Sequence, residues 1–195
     1  MVTDLKNTRT QLKRQRTALS PWQQHQQARR VVKRLSYYPF IRQAQHIGLY
    51  WPVRGELDPR LIRYHLKPHQ KLYLPVLAKR PKHTLYWIRW TPNTRFKKNQ
   101  FNIPEPLKGT ERTLLSSQLD CVLVPLLGFS KQGQRLGMGG GYYDRSFAFL
   151  NRIPRPLKPM LIGVGYEFQC VELTSAPWDV SLNSLVTEWG IRHFI

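Results

Sequence analysis

The chain has 195 residues, 41% of them hydrophobic, with 15 prolines and a formal net charge of +20, which describes one folded, loop-punctuated domain whose partners are anionic. No apolar run approaches the roughly 20 residues needed to cross a bilayer, and Met1-Val-Thr-Asp-Leu-Lys6 carries no apolar stretch behind its charges, so neither a membrane span nor a secretory leader is expected and the default address is cytoplasmic. Cys121 and Cys170 sit in apolar runs without C-x-x-C spacing, which argues against a disulfide or zinc site and predicts two buried thiols.

Ten of the Lys and Arg residues fall within residues 1–42, against the single acid Asp4. Leu5, Leu12 and Leu19 recur every seven residues through this segment, predicting a helix over 3–18 that lays a narrow apolar stripe on the body and turns its arginines outward. Ser20-Pro-Trp-Gln23 has the form of a capping box with proline in the first turn, and Ala28, Val31, Val32 and Leu35 follow at helical spacing, so a second helix begins there and ends near Tyr38-Pro39. The period then changes. Ile47–Trp51 reads as a strand, Asp58-Pro59 starts a short helix to about residue 67, and Lys71–Val76 is a second strand, a β-α-β unit with a right-handed crossover. Thr84–Trp90 alternates as a further strand, and residues 91–117, with Pro92, Pro104 and Pro106, read mostly as loop. The second half repeats the logic: strand 121–127, a glycine-rich segment, a helix over 142–150, strand Met160–Gly165, and terminal strands at Ser184–Thr187 and Trp189–Phe194. The whole predicts a three-layer α/β domain with a largely parallel sheet and helices on both faces.

The segment Arg135-Leu-Gly-Met-Gly-Gly-Gly-Tyr-Tyr-Asp-Arg145 is the most informative part of the chain. Four glycines let backbone N–H groups approach phosphate oxygens, and the helix that follows presents an N-terminus favourable to anions. Arg135 adds fixed positive charge, and Asp144 is a natural oxygen ligand for magnesium travelling with the phosphates. The plain alternative is a glycine turn with no ligand. At the end of the strand reaching Trp51 a second loop carries Arg54-Gly-Glu-Leu-Asp58, where Gly55 and Asp58 suit a turn and helix cap while Glu56 is left for another task. Ligands of such sheets bind beyond the carboxyl ends of the strands, where both loops fall. No Walker A loop, dinucleotide fingerprint, H-E-x-x-H or Gly-x-Ser-x-Gly occurs, which sets aside zinc chemistry and serine nucleophiles. The basic N-terminus also raises a helical arm on RNA, but no RNP-type motif, zinc finger or helix-turn-helix accompanies it.

Taken together, Leu12–Ser20, Tyr50-Trp51 with Gly55–Asp58, Lys71–Pro75, Phe101–Pro106, Asp120–Phe129, Gly133–Arg145, Gly163–Gln169 and Trp178-Asp179 with Val186-Thr187 resemble, nearly end to end, the 5-formyltetrahydrofolate cyclo-ligases, also called 5,10-methenyltetrahydrofolate synthetases. The resemblance implies a single domain over 1–195 of the NagB/RpiA/CoA-transferase-like class, its basic N-terminal helices over 3–38 packed on the body. It implies an ATP- and Mg2+-dependent ring closure of 5-formyltetrahydrofolate to 5,10-methenyltetrahydrofolate in folate one-carbon metabolism, with release of ADP and phosphate. The formyl oxygen is phosphorylated and N10 attacks, a route that needs positioning and electrostatics but no protein nucleophile.

Carried over by position, ATP is contacted by Lys6, Arg9, Arg135, Leu136, Gly137, Met138, Gly139, Gly140, Gly141, Tyr142 and Tyr143, with Arg135 and Tyr143 in catalytic roles. The folate meets Trp51, Glu56, Met138, Gly139, Gly140, Gly141 and Tyr142, and Asp144 and Asp179 hold the metal. Two departures stand out: the family's lysine four residues before Arg9 is Leu5 here, with Lys6 one residue late, and Met138 stands where a basic residue sometimes occurs. At least one of Tyr142 and Tyr143 is expected to pack in the core. The implied partners are ATP and 5-formyltetrahydrofolate, with or without a polyglutamate tail, acting on a monomer, with no membrane and no nucleic acid. The competing readings are a basic RNA-associated module and an ATP-dependent ligase of the same fold acting on another amide.

Overall fold

A computed structural model gives the fold for residues 5–109, 111–152, 158–174 and 176–194. Helix α1 covers Leu5–Ala18 and α2 covers Pro21–Tyr37; residues 3 and 4 of the expected first helix lie outside the described set. The start of α2 follows from its sequence. The Ser20 hydroxyl accepts from the Gln23 N–H at 3.2 Å, and the Gln23 side chain accepts from the Ser20 N–H at 2.8 Å, satisfying two donors that a helix start leaves orphaned. Tyr38-Pro39 ends α2 as expected, but Pro39 also opens a short unforeseen helix, α3 (Pro39–Gln43). Proline's fixed φ suits a first turn as well as it stops the preceding helix.

The strands are β1 (His46–Gly48), β2 (Lys71–Leu77), β3 (Leu85–Trp90), β4 (Phe96–Lys98), β5 (Pro104–Pro106), β6 (Thr113–Leu115), β7 (Cys121–Pro125), β8 (Gly128–Phe129) and β9 (Arg135–Leu136). Then come helix α4 (Tyr142–Phe147) and strands β10 (Met160–Val164), β11 (Ser184–Val186) and β12 (Ile191–His193). Eight of the strands form one sheet in the order β12-β11-β10-β7-β1-β2-β3-β6. The central five, β11 to β2, run parallel, while β12, β3 and β6 are antiparallel to their neighbours.

Alternation along the central strands separates two cores. Leu72, Leu74, Cys121, Leu123 and Ile162 face Val31, Leu35 and Ile41 of α2 and α3. Tyr73, Val122, Val124 and Leu161 face Phe147 and Leu150 of α4 and the 3-10 turn that follows it. Helices therefore cover both faces, the condition for a buried parallel sheet.

Several expectations need correction. The first strand stops at Gly48 rather than Trp51, because the chain turns away and the Tyr50 hydroxyl donates to the Leu57 carbonyl at 2.6 Å. The element after Asp58 is a 3-10 helix, Pro59–His65, and the helix expected over 142–150 becomes 3-10 over Ala148–Asn151. Residues 91–117 hold the hairpin β4–β5 and strand β6, strands of three residues whose prolines and brevity hide any alternation. Both cysteines are free, but only Cys121 is fully buried. Among the described residues no helix is long and apolar enough to cross a membrane.

Helix α1 matches the expected amphipathic pattern only in part. Leu12 is buried, but Leu5 is exposed and Arg16 is only 1% exposed. Arg16 follows Leu12 by four residues and so shares its face; it points in where the heptad of leucines sends the arginines out.

Candidate active site

Strands β8 and β9 form a small antiparallel hairpin, extended by a Leu127 N–H to Leu136 carbonyl bond of 2.8 Å. The glycine segment thus follows this hairpin rather than β7 directly, and Arg135 and Leu136 are strand residues, not loop. The loop proper, 137–141, is open. Gly139 has φ +96°, and a Cβ placed there would meet no atom within 4 Å. Gly141, at φ +64°, precedes α4 and offers no side chain to cap it. The loop is held from two sides: Arg9 Nε of α1 donates to the Gly137 carbonyl at 3.2 Å, and Arg145 donates to the Gly140 carbonyl and, at 3.3 Å, to that of His83. Met138 is exposed at the tip. Lys6 lies one turn before Arg9 on α1.

Beneath the loop, Arg135 is almost wholly buried and forms an ion pair with Asp144 at 2.6 Å. Its guanidinium also lies 5.6 Å from the Tyr143 ring centroid. The same Asp144 oxygen accepts from the Val180 N–H at 3.4 Å, which brings Asp179 alongside; Asp179 uses one oxygen to accept from the Ala176 N–H at 2.9 Å. Tyr142 takes a hydrogen bond from Gln100 Nε2 at 3.0 Å and packs against His83 and Phe101. Tyr143 stacks on Phe147 at 6.2 Å, an anchoring contact in the core.

The second loop is packed where the first is open. Glu56 has a side chain 10% exposed; one oxygen accepts from the Val53 N–H at 3.1 Å, and the other stands 3.6 Å from Arg16 Nη1. Burial raises the Glu56 carboxyl above its ordinary range, against the pull of Arg16, the Val53 N–H and Arg54. Gly55, at φ +76°, lies so close to α1 that a Cβ would sit 2.8 Å from the Arg16 carbonyl oxygen, and the Tyr166 hydroxyl donates to its carbonyl at 3.1 Å. Trp51 is half-buried between Trp90 and Phe96, with Arg60 over one face at 4.2 Å. Arg60 is itself locked by a bidentate pair to Asp58, at 2.9 and 2.8 Å.

Tyr143 lies in the first turn of α4, directly after the glycine loop. Burial, then the negative charge of Glu56, push its phenol up, with Arg135 pulling the other way. The buried Glu56 carboxylate and the buried Arg135 guanidinium of β9 therefore act through their charges on one hydroxyl, which stays protonated throughout the neutral range. Arg135 links Asp144 and Tyr143, Glu56 acts on Tyr143 through its charge, and Trp51 lies on the loop that carries Glu56, packed on Trp90 and Phe96.

Sequence reasoning missed Arg16, Arg145, Arg60 and Tyr166. Arg16 had a readable signal, its spacing of four from Leu12 and seven from Arg9. His83, one partner of Arg145, and Gly55, the partner of Tyr166, lie 62 and 111 residues away, and no local pattern marks those contacts.

A glycine loop laid open beside a largely parallel sheet, with the buried Arg135–Asp144 pair next to it, is the kind of feature with which α/β proteins hold phosphates and small molecules. The chain belongs to the 5-formyltetrahydrofolate cyclo-ligase family, whose sequence profile matches residues 3–188. It is 36% identical over 178 residues to the 5-formyltetrahydrofolate cyclo-ligase of Haemophilus influenzae, covering 89% of this chain and 92% of that one. It is 32% identical to the enzyme of the same name from Escherichia coli, over 90% of this chain and 96% of the other. The solved structure of Aquifex aeolicus 5,10-methenyltetrahydrofolate synthetase superposes with a TM-score of 0.79 at 28% identity, covering 97% of this chain and 92% of that one.

Proposed function

We propose that the protein closes 5-formyltetrahydrofolate to 5,10-methenyltetrahydrofolate at the expense of ATP, with Mg2+, releasing ADP and phosphate. The observation that carries this reading is the open glycine loop over 137–141 with the buried Arg135–Asp144 pair beside it, together with a second loop packed around the Glu56 carboxylate. The triphosphate lies on the N–H groups of 137–141, with Arg9, Lys6 and Leu136 beside it and Arg135 beneath. Trp51 offers aromatic surface to the pterin, and Glu56 accepts from its N–H edge.

The chemistry asks for little else. The formamide oxygen attacks the γ-phosphoryl group, and phosphate then leaves as N10 closes the ring. Arg135, held by Asp144, keeps positive charge against the moving phosphoryl group without having to reorganise. Tyr143, protonated and fixed by Phe147, donates a hydrogen bond in the same place. Met138, Gly139, Gly140, Gly141 and Tyr142 line the boundary between nucleotide and folate.

No group of three or more metal-binding side chains occurs among the described residues, so a closed protein cage is absent there. The donor set fits magnesium, which takes one or two carboxylates plus substrate phosphates. Asp144 and Asp179 would hold the ion, which would offset charge on the triphosphate.

The same reading assigns residues 1–195 to one domain of the NagB/RpiA/CoA-transferase-like class, acting as a monomer. In support, one sheet runs from β1 to β12 and both loops come from one chain. The test is direct. Folded protein given ATP, magnesium and 5-formyltetrahydrofolate raises the near-ultraviolet absorbance of the methenyl product; no rise removes the proposal, and a rise only with a different amide substrate redirects it to another ligase of this fold.

A further inference from the structure

Arg16 is the least expected residue of the molecule: a guanidinium 1% exposed on a helix otherwise rich in solvated cations. Its Nε donates to the Arg54 carbonyl at 3.0 Å. Neither Nη1 nor Nη2 has a hydrogen-bond partner among the described residues, although Nη1 stands 3.6 Å from Glu56 Oε1. A buried cation with unmet donors is costly unless another contribution retains it. Here the retained contribution is a field. The backbone of α1 is wedged against Gly55, so Arg16 cannot withdraw from the carboxylate it faces.

We propose that Arg16 is a positioning residue for the folate site: it keeps Glu56 negatively charged in a place that would otherwise neutralise it, and fixes the loop that aims it. The proposal rests on the reading that Glu56 accepts from the pterin. The groups around Glu56 are unevenly matched. Arg16 on α1 and Arg54 in the loop favour the charge, as does the Val53 N–H. Tyr50 and Tyr166 in the core and Tyr143 on α4 feel the Glu56 charge and, neutral as they are, do not compensate it, while Asp58 is an acid sharing the same surroundings. Arg16 comes first among the groups that oppose the desolvation of Glu56. The same helix reaches the phosphate loop through Arg9, seven residues and two turns earlier, so α1 fixes both halves of the site from one face.

The test separates charge from packing. A carboxylate held by a guanidinium within about 4–6 Å titrates about 1–3 pH units lower than without it. Arg16→Gln is therefore expected to move the acidic limb of kcat/KM for folate upward by about that much, with affinity largely recovered on the alkaline side, while the KM for ATP stays within about twofold. Arg16→Lys, which keeps the charge, is expected to leave the limb near its wild-type position. A loss in Arg16→Gln that is the same at every pH, or an unchanged profile, overturns the proposal. Glu56→Gln serves as the reference: if it leaves folate KM unchanged, the assignment of Glu56 to the pterin fails first; if it raises KM and Arg16→Gln does not shift the limb, only the role of Arg16 fails. Should Arg16→Gln not fold, 13C NMR titration of the glutamate carboxyls in the intact protein, with Glu56→Gln to identify the resonance, decides the matter. A Glu56 found protonated at about pH 7 refutes the proposal, and one found ionised supports it.

Discussion

The loop at 137–141 and the loop at 51–58 are both held by arginines of α1 but are built in opposite ways. In the first, Gly139 looks into open space, and backbone carbonyls are pinned from outside by Arg9 and Arg145. In the second, Gly55 is pressed on α1 and Glu56 is buried with Arg16 behind it. On the proposed function, the difference matches what each loop would bind. A triphosphate is recognised by exposed N–H groups and fixed positive charge, which tolerate solvent. A pterin edge asks for one carboxylate of fixed direction, which gains from a shielded setting and must be prevented from neutralising there.

The contrast can be broken most forcefully at Asp144. Asp144→Asn is expected to lower kcat about 100-fold while the protein stays folded, with folate KM little changed, since groups that orient or hold a metal commonly contribute 10–100-fold. Partial recovery at raised magnesium would assign the loss to the ion; no recovery would assign it to a loosened Arg135. Undiminished turnover would remove Asp144 from the site.

A pair of glycine substitutions tests the architecture itself. Gly55→Ala places a methyl against the Arg16 backbone at positive φ and is expected to cost about 2–4 kcal/mol in urea denaturation. Gly139→Ala meets no neighbour and is expected to cost about 1 kcal/mol, from its backbone conformation alone. Gly139→Val is expected to raise the KM for ATP about tenfold or more through blocked approach of the phosphates, an effect that Gly55→Ala does not share. Equal stability losses at the two glycines would erase the distinction drawn between the loops. Next in size, Trp51→Ala is expected to raise folate KM about tenfold and leave ATP KM unchanged, the reverse selectivity to Gly139→Val.

The smallest effect lies outside both loops and serves as a control. Asp120 accepts from the N–H groups of Gln45 and His46, both at 2.8 Å, and pairs with Lys158 at 2.6 Å. Burial opposes its charge, but Lys158 and the two N–H groups prevail and hold the carboxyl below its usual range. Its stabilisation is therefore complete above the ordinary aspartate range and is lost as pH falls below about 4, where the folded group at last takes a proton. Urea midpoints measured across that window should fall less steeply in Asp120→Asn than in the parent, with both loops unaffected at neutral pH.

What could be read in the sequence was whatever depends on neighbours in the chain. Ser20 and Gln23 announce the start of α2 because a capping box is a four-residue event. Strands β2, β3, β7 and β10 show as apolar runs, and the glycine segment declares itself by composition. What depends on distant partners was not legible: the burial of Arg16 against the loop at 54–56, the hold of Arg145 on the His83 carbonyl, and the bond from the Tyr166 hydroxyl to the Gly55 carbonyl. The three-residue strands β4, β5 and β6 escaped for another reason. A strand so short contains no full alternation to detect, and its identity comes from its partner.

The sheet order has a consequence for how the protein comes into being. Strand β1 is flanked by β2, made soon after it, and by β7, which begins at residue 121. Arg9 likewise waits 128 residues for the Gly137 carbonyl. A nascent chain leaving the ribosome thus holds a half-built sheet for most of its synthesis, with the bare side of β1 open to stray partners. On the proposed function, nucleotide and folate would engage only after the last third has emerged, so their binding would reward the finished molecule and offer no help to the growing one.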